Sequence, residues 1–325
     1  MSKIRWGIIS TANIGIKRVI PAIQQSSNGE VAAIASRDLG RAQAVADELG
    51  IPKAYGSYEE LIAADDIDAI YNPLPNSKHA KWSIACAEAG KPTLCEKPLA
   101  STAAEAQTMV NAFAERNIKF AEAFMYRFHP RTQKVKELID DGVVGDVHMI
   151  ASAFSFNIAS EDNIRLSAEL AGGALMDVGC YCINIMRHIT GEEPDTCKAI
   201  ARFGSETGVD ERIVGVLGFP SGITGHLDAS LRTYGRNWYE ISGTAGRLLV
   251  ETSFVPAADQ PTVIQLWRDG KQDIVTLPAA NQYTVMAEDF ADAILSDRAP
   301  RYPGQDGVAN MLVIDALLKS ARESL

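Results

Sequence analysis

Residues 7–15 read Gly-Ile-Ile-Ser-Thr-Ala-Asn-Ile-Gly, an apolar run that breaks into small and polar residues just before a helical pattern begins. A strand, a tight turn and a helix N-terminus in that order make a phosphate cradle, because the first amides of the helix point outward and favour an anion. In the dinucleotide fingerprint G-x-G-x-x-G the glycines serve the turn, the approach to the pyrophosphate and helix–strand packing. Here the frame is S-x-A-x-x-G: Ser10 and Ala12 are the next-smallest residues, Gly15 keeps the third place, and Thr11, Asn13 and Ile14 complete the turn. About 20 residues on, where such sites read the ribose, Ala35-Ser36-Arg37 closes a second apolar run, with Arg41 one turn further. A carboxylate at that place would hold a free 2′-hydroxyl. A guanidinium instead pairs with a 2′-phosphate. NADP is therefore the expected cofactor, with NAD weaker. Arg37 as a surface cap of the next helix is the competing reading, and Asp38 has two choices, pairing with Arg41 or turning to the ribose.

Three further groups could do chemistry. The loops Asn72-Pro73-Leu74-Pro75-Asn76 and Cys95-Glu96-Lys97-Pro98 each follow an apolar run. That places Pro73, Leu74, Asn76, Glu96 and Lys97 on the ligand edge of a sheet, with Tyr58 and His79 as neighbours; a solvated Glu96–Lys97 pair is the alternative. Asp177 and Tyr181 stand at i and i+4, so on one helix a carboxylate and a phenol share a face. Gly172-Gly173 before them allows close approach to another backbone or a ligand. Tyr126-Arg127-Phe128 follows the last run of the first third. Arg127 is a candidate cofactor contact and Tyr126 a substrate contact. Asn157, Arg165, Tyr234 and Asn237 are candidate hydroxyl readers.

The elements that must position these residues follow from periodicity. Short apolar runs at Arg5–Ser10, Val31–Ser36, Ala69–Asn72, Thr93–Cys95 and Lys119–Ala123 alternate with helical patterns at Ile14–Gln25, Leu39–Leu49, Tyr58–Ala63, Lys78–Ala89 and Ala103–Arg116. Such alternation predicts an α/β, doubly wound parallel sheet, with ligands beyond the carboxyl ends of the strands. Beyond Phe124 a helix at Pro130–Asp140, a strand at Gly145–Asn157 and a helix at Gly172–Thr190 precede a series of strands. These are Lys198–Phe203, Arg212–Phe219, Gly222–Leu231, Trp238–Ser242, Leu248–Glu251 and Thr262–Arg268, and helices at Thr284–Leu295 and Val308–Arg322 close the chain. Strands without intervening helices imply an α+β domain on a large, mainly antiparallel open sheet. The expected division is residues 1–123 for the nucleotide and 124–325 for substrate and oligomer contacts.

The totals narrow the classes. Lys and Arg number 31 against 41 Asp and Glu, a net charge of −10, which argues against nucleic acid and anionic membranes as partners. No apolar run approaches the roughly 20 residues of a membrane span. Met1-Ser2-Lys3 leads straight into the first strand without a signal-peptide pattern. The five cysteines and five histidines show no metal spacing. A reduced, cytoplasmic protein is expected.

Four segments together resemble the glucose-fructose oxidoreductase / inositol dehydrogenase (Gfo/Idh/MocA) family: GIISTANIG at 7–15, ASR at 35–37, CEKPLA at 95–100 and GGALMDVGCYCIN at 172–184. The resemblance spans essentially the whole chain. It implies an N-terminal Rossmann domain and a C-terminal sheet that often forms an oligomer interface. It also implies that Lys97, preceding a cis proline, lies by the nicotinamide and the substrate. Many relatives have histidine where this chain has Tyr181. That departure resembles the branch of dimeric dihydrodiol dehydrogenase and NADP-dependent xylose and glucose dehydrogenases. On that basis Lys97, Asp177 and Tyr181 form the expected catalytic group. A phenol with pKa near 10 is a poor base at neutrality, and lowering it by ~3 units needs about 4 kcal/mol, which one close ammonium and an oxidised nicotinamide can supply. Tyr181 is then the acid/base, Lys97 its activator, and Asp177 a hydroxyl or lysine anchor. The expected reaction is NADP-dependent oxidation of an aldopyranose at C1. Ketosugar reduction, trans-dihydrodiol oxidation, a glucose-fructose oxidoreductase retaining its nucleotide, and a non-catalytic NADP-binding regulator are the alternatives. A homodimer or homotetramer is expected.

Overall fold

The computed structural model describes residues 3–323. Within them the chain divides into two compact units, one formed by the residues up to Met125 with Asn281–Val308, the other by Tyr126–Ala280 with the residues from Ala309.

The first unit is built on six parallel strands: β1 (Ile4–Ile9), β2 (Gly29–Ala35), β3 (Lys53–Tyr55), β4 (Ala69–Asn72), β5 (Thr93–Glu96) and β6 (Phe120–Ala123). Their order is β3-β2-β1-β4-β5-β6, so the order reverses between β1 and β4, the crevice where such sheets receive ligands. Strands β4, β5 and β6 are buried at every residue, as expected for a parallel sheet covered on both faces. The crossover helices are α1 (Ile20–Gln25), α2 (Leu39–Leu49), α3 (Tyr58–Ala63), α4 (Asn76–Glu88) and α5 (Ala103–Ala114). Their starts are chemically marked. The Ser57 hydroxyl accepts from the Glu60 amide at 3.2 Å and that of Thr102 from Glu105 at 3.2 Å, two S/T-x-x-E boxes. The Asp38 carboxylate caps α2 by accepting from the Arg41 amide at 3.1 Å, and Gly50 ends that helix at φ 66°. Of the two choices open to Asp38, the structure uses a third: the backbone of Arg41.

The second unit carries an eight-stranded sheet. Its strands are β7 (Val147–Asn157), β8 (Thr196–Phe203), β9 (Asp210–Gly218), β10 (Thr224–Ser230), β11 (Arg232–Gly243), β12 (Gly246–Glu251), β13 (Thr262–Arg268) and β14 (Lys271–Leu277). The order is β14-β13-β12-β11-β7-β10-β9-β8, antiparallel except for the β7–β10 pair. Helices α6 (Pro130–Asp140) and α7 (Cys180–Thr190) belong to this unit, and α7 packs against β7 and β10. The opposite face leaves Ile200, Val214, Val216, Met149, Val263 and Ile274 exposed, Ile200 at 73%.

Two helices close the chain, α8 (Gln282–Leu295) and α9 (Gly304–Glu323). Sequence periodicity placed α8 in the second segment; packing places it with the first. It lies on α1, the Glu288 carboxylate accepts from the amide and hydroxyl of Ser27 at 2.8 and 2.9 Å, and the Trp6 and Phe290 rings are 5.7 Å apart. A helix is placed by where its apolar stripe finds a partner, and that partner here, Trp6 and α1, lies near the other end of the chain. Among the described residues no helix is long and apolar enough to cross a membrane.

Candidate active site

In the first unit the cradle opens where β1 stops. Ser10 adopts φ 71°, the left-handed conformation that a glycine usually supplies at the same place, and its buried hydroxyl has no hydrogen-bond partner within the protein. Leaving a buried hydroxyl unsatisfied costs about 1–3 kcal/mol. A ligand oxygen at the turn removes that penalty, so the residue fits a phosphate. Thr11 is buried beside it, and the chain then runs through one wide π-helical turn, Gly15–Val19, into α1. Asn13 and Ile14 lie at the start of this helical segment, where amides lack intrahelical partners. The third glycine is less constrained than the fingerprint suggests: a β-carbon on Gly15 would make only ordinary contacts, at 3.8 Å from Pro73 and Tyr71.

At the far end of β2, the Ser36 hydroxyl is buried and accepts from the Asp38 amide at 3.3 Å. Tyr58 packs edge-on against Trp82, ring centroids 4.9 Å apart. Burial raises its phenol above the ordinary value, against the opposing pull of the Arg37 guanidinium, which hydrogen-bonds to it. Arg41 also acts on this phenol electrostatically. Ser36, Arg37, Arg41 and Tyr58 are thus brought together around a cationic corner, with the Asp38 carboxylate turned into its helix cap.

The two later loops are clamped to each other. Asn72 donates to the Ser83 hydroxyl at 3.0 Å and accepts from the Leu74 amide at 3.3 Å, folding Pro73 and Leu74 back over the sheet. His79 lies fully buried on α4, with one ring nitrogen 2.6 Å from the Leu74 carbonyl and the other 3.0 Å from that of Pro98. Burial pulls its imidazolium down to about 4. His79 was a candidate cofactor contact. Both its nitrogens face backbone carbonyls, so it acts on the site by tying the Leu74 loop to the Lys97 loop. Glu96 is buried rather than solvated; its carboxylate accepts from the Tyr71 phenol at 2.7 Å and from the Lys97 amide at 3.3 Å. The Lys97–Pro98 bond is cis. Asn76 begins α4, and the neighbouring Ser77 hydroxyl is buried without a protein partner.

In the second unit, Asp177 and Tyr181 do lie on one continuous helical segment. It opens with a π-helical turn, Leu175–Gly179, which runs into α7. No residue pattern in Leu-Met-Asp-Val-Gly announces that widened turn, a form found frequently at functional sites. The Asp177 side chain is 15% exposed and accepts from Nε of Arg165 at 2.7 Å. Two of the sequence candidates therefore meet as an ion pair. Tyr181 is 5% exposed, its ring set among Phe254, Phe154 and Tyr126 at 5.3, 5.5 and 5.8 Å. It packs as a core residue and also presents the only phenol of the GGxxxDxGxY stretch.

The remaining candidates separate. Tyr126 is fully buried and donates to Asn184 Oδ1 at 2.6 Å, so its hydroxyl serves α7 and not a substrate. Arg127 is buried in the same unit, its carbonyl accepting from the Gln133 side chain at 2.5 Å. Asn237 is no free reader either: its Oδ1 accepts from the Ser253 hydroxyl and the Phe254 amide, both at 2.9 Å, fixing the aromatic loop. Asn157 sits exposed at the end of β7, opposite Arg232. Tyr234, 93% exposed, stands where the β11–β7 register slips, outside the aromatic cluster around Tyr181. What the sequence reading missed are the second-layer residues Asn184, Asp210 and Tyr71, whose partners lie far along the chain.

A six-stranded parallel sheet of this order, with a phosphate turn at the β1–β4 switch, defines a dinucleotide-binding oxidoreductase fold joined to an α+β unit. Family models match both parts, the oxidoreductase family with NAD-binding Rossmann fold over residues 4–124 and the GFO/IDH/MocA C-terminal domain over 132–249. The chain belongs to the GFO/IDH/MocA oxidoreductase family. It is 42% identical over 317 residues, 97% of each chain, to a protein of Haloferax volcanii named D-xylose 1-dehydrogenase (NADP(+)) 2. It is 34% identical to trans-1,2-dihydrobenzene-1,2-diol dehydrogenase of Bos taurus, covering 75% of this chain and 72% of that one. Its fold matches the crystal structure of a 3-ketoreductase from Actinomadura kijaniata in complex with NADP and TDP-benzene, with a TM-score of 0.94, 31% identity and 98% of each chain covered.

Proposed function

We propose that this protein is an NADP-dependent dehydrogenase that oxidises the C1 hydroxyl of an aldopyranose such as D-xylose or D-glucose to the lactone. The observation that carries the reading is the end-to-end likeness to a named D-xylose 1-dehydrogenase, at 42% identity. Ser10, Thr11, Ala12, Asn13 and Ile14 hold the pyrophosphate; Ser36, Arg37, Arg41 and Tyr58 hold the 2′-phosphorylated ribose; Pro73, Leu74, Asn76, Glu96 and Lys97 line the nicotinamide end. When bound, NADP+ takes up the hydride. In this mechanism the Lys97 ammonium would hold the oxygen of the reacting hydroxyl and favour the Tyr181 phenolate, which would receive the proton. Asp177, oriented by Arg165, accepts a neighbouring sugar hydroxyl. None of the five cysteines is joined in a disulfide, which suits a reducing cytoplasm.

The test is a steady-state panel of pentoses, hexoses, ketosugars and diols with NADP+ and NAD+, followed at the nicotinamide absorbance. Xylose or glucose with NADP+ should give the highest kcat/KM. Turnover confined to diols, or to reduction of a ketosugar, would replace the aldose reading. The ketosugar reading is favoured by the fold match to a 3-ketoreductase. Arg37→Ala should raise the KM for NADP+ roughly 10–100-fold, the loss of one charge-assisted contact, and leave the KM for NAD+ almost unmoved. Equal effects on both cofactors would remove Arg37 from phosphate recognition.

The open face of the second unit's sheet carries apolar residues from five strands, more than a monomer ordinarily leaves to water. A second copy of the chain covers it in this reading. Sedimentation velocity should show a dimer or larger assembly at micromolar protein, and a monomer there rules the pairing out.

A further inference from the structure

We infer that Asp210, the first residue of β9, is a positioning residue that grips the start of the helix carrying Asp177 and Tyr181 and so sets where those side chains stand. The inference rests on the catalytic reading of that pair.

Asp210 is 2% exposed, and its Oδ2 accepts from the Leu175 amide at 2.7 Å; the Ala174 amide also bonds to it. These are the first amides of the π turn, exactly those left without intrahelical partners. Access depends on Gly173, at φ 122°: a β-carbon there would overlap Asp210 Oδ1. Gly172 packs equally tightly on the Arg165 carbonyl, and the Gly173 amide donates to that carbonyl at 2.8 Å. The two glycines thus seat the helix start against two protein elements, β9 and the Arg165 turn.

The grip passes directly to the reacting groups. The Leu175 amide is held by Asp210, and the Leu175 carbonyl accepts from the Cys180 amide, one residue before Tyr181. Asp177 lies inside that turn, its own amide bonded to the Gly173 carbonyl at 3.0 Å. Farther on, Asn310 donates to the Cys180 carbonyl at 3.2 Å. Releasing Asp210 leaves the start of the wide turn held by the Arg165 turn alone. Burial also pushes the Asp210 carboxyl up to about 7, against the lowering pull of the bonded amides and of Arg322. Such a penalty is kept where the group has work to do, and a carbonyl oxygen is present in both protonation states.

The test compares Asp210→Ala and Asp210→Asn by sugar kinetics and by amide hydrogen exchange over residues 172–185. Alanine should lower kcat about 10²-fold, the scale of a small misplacement of reacting groups, with the KM for NADP+ unchanged. It should speed exchange over 172–181 and not over 93–99. Asparagine keeps an acceptor oxygen and should recover kcat to within about tenfold of wild type, with slow exchange. Unchanged kcat in the alanine variant, equal losses in both variants, or exchange raised evenly across the protein would overturn the proposal. If alanine does not fold, asparagine decides alone: a 10²-fold loss of kcat with wild-type exchange over 172–185 sinks it. An inactive wild type would refute the sugar reading, while the exchange data would still report on the Asp210 grip.

Discussion

Lys97→Ala is expected to reduce sugar oxidation by at least about 10³-fold, since on the proposed mechanism it removes both a preorganised charge at the reacting oxygen and the cation that favours the phenolate. The loop should survive the change. Its shape is set by the Glu96 carboxylate on the Lys97 amide and by His79 against the Pro98 carbonyl, neither of which uses the lysine side chain. Affinity for NADP+ should stay near wild type, because the phosphate turn at Ser10 and the cationic corner at Arg37 lie elsewhere on the sheet. Tryptophan fluorescence titrated with NADP+ measures that affinity independently of turnover. On the proposed mechanism the pH at which kcat rises should also move upward, since the phenol would lose a cation that favours its ionised form. Retained activity, or loss of activity together with cofactor binding, would take Lys97 out of the chemistry.

Tyr181→Phe is expected to cut kcat by roughly 10²–10⁴, the usual effect of losing a general acid/base. Phenylalanine keeps the ring among Phe154, Phe254 and Tyr126, so Tm should change little. This separation matters, since Tyr181 is buried enough that a larger change would confound packing with proton transfer. The pH dependence of kcat is the decisive reading: the low-pH limb, where kcat rises as the phenol ionises, should flatten in the variant. A slower enzyme with the wild-type profile would mean that another group moves the proton.

Much of the scaffold was legible because its signals are local. Helices α2, α3 and α6 and strands β4 and β13 fall at the expected residues, each with a short-range period and most with a cap or turn residue at the boundary. Strands β3 and β14 were not expected. β3 is three residues long, and β14 is largely exposed, with charged and polar residues over its first half, so neither carries an apolar alternation. A signal for β14 was available: Asp269-Gly270, with φ 52° and 70°, is the dipeptide of a two-residue hairpin. The widened turns at Gly15–Val19 and Leu175–Gly179 had no such marker, because a π turn differs from an α turn by one hydrogen-bond partner and not by a residue pattern.

The candidate site divides along the same line. Small residues at 10 and 12, a guanidinium at 37, the Glu-Lys-Pro loop and the Asp–Tyr spacing are all properties of neighbours in sequence; they carry the expectation of a cradle and of NADP, and the pair does fall on one helical segment. Only the tertiary structure decided that Arg165 pairs with Asp177, that His79 clamps two loops, that the Tyr126 hydroxyl is taken by Asn184, that α8 returns to the first unit, and that Asp210 meets the Leu175 amide. Backbone conformation and periodicity are set within a few residues, so a sequence displays them. Which buried polar group finds which partner depends on how distant segments close into one core, and no stretch of sequence contains both ends of that bond.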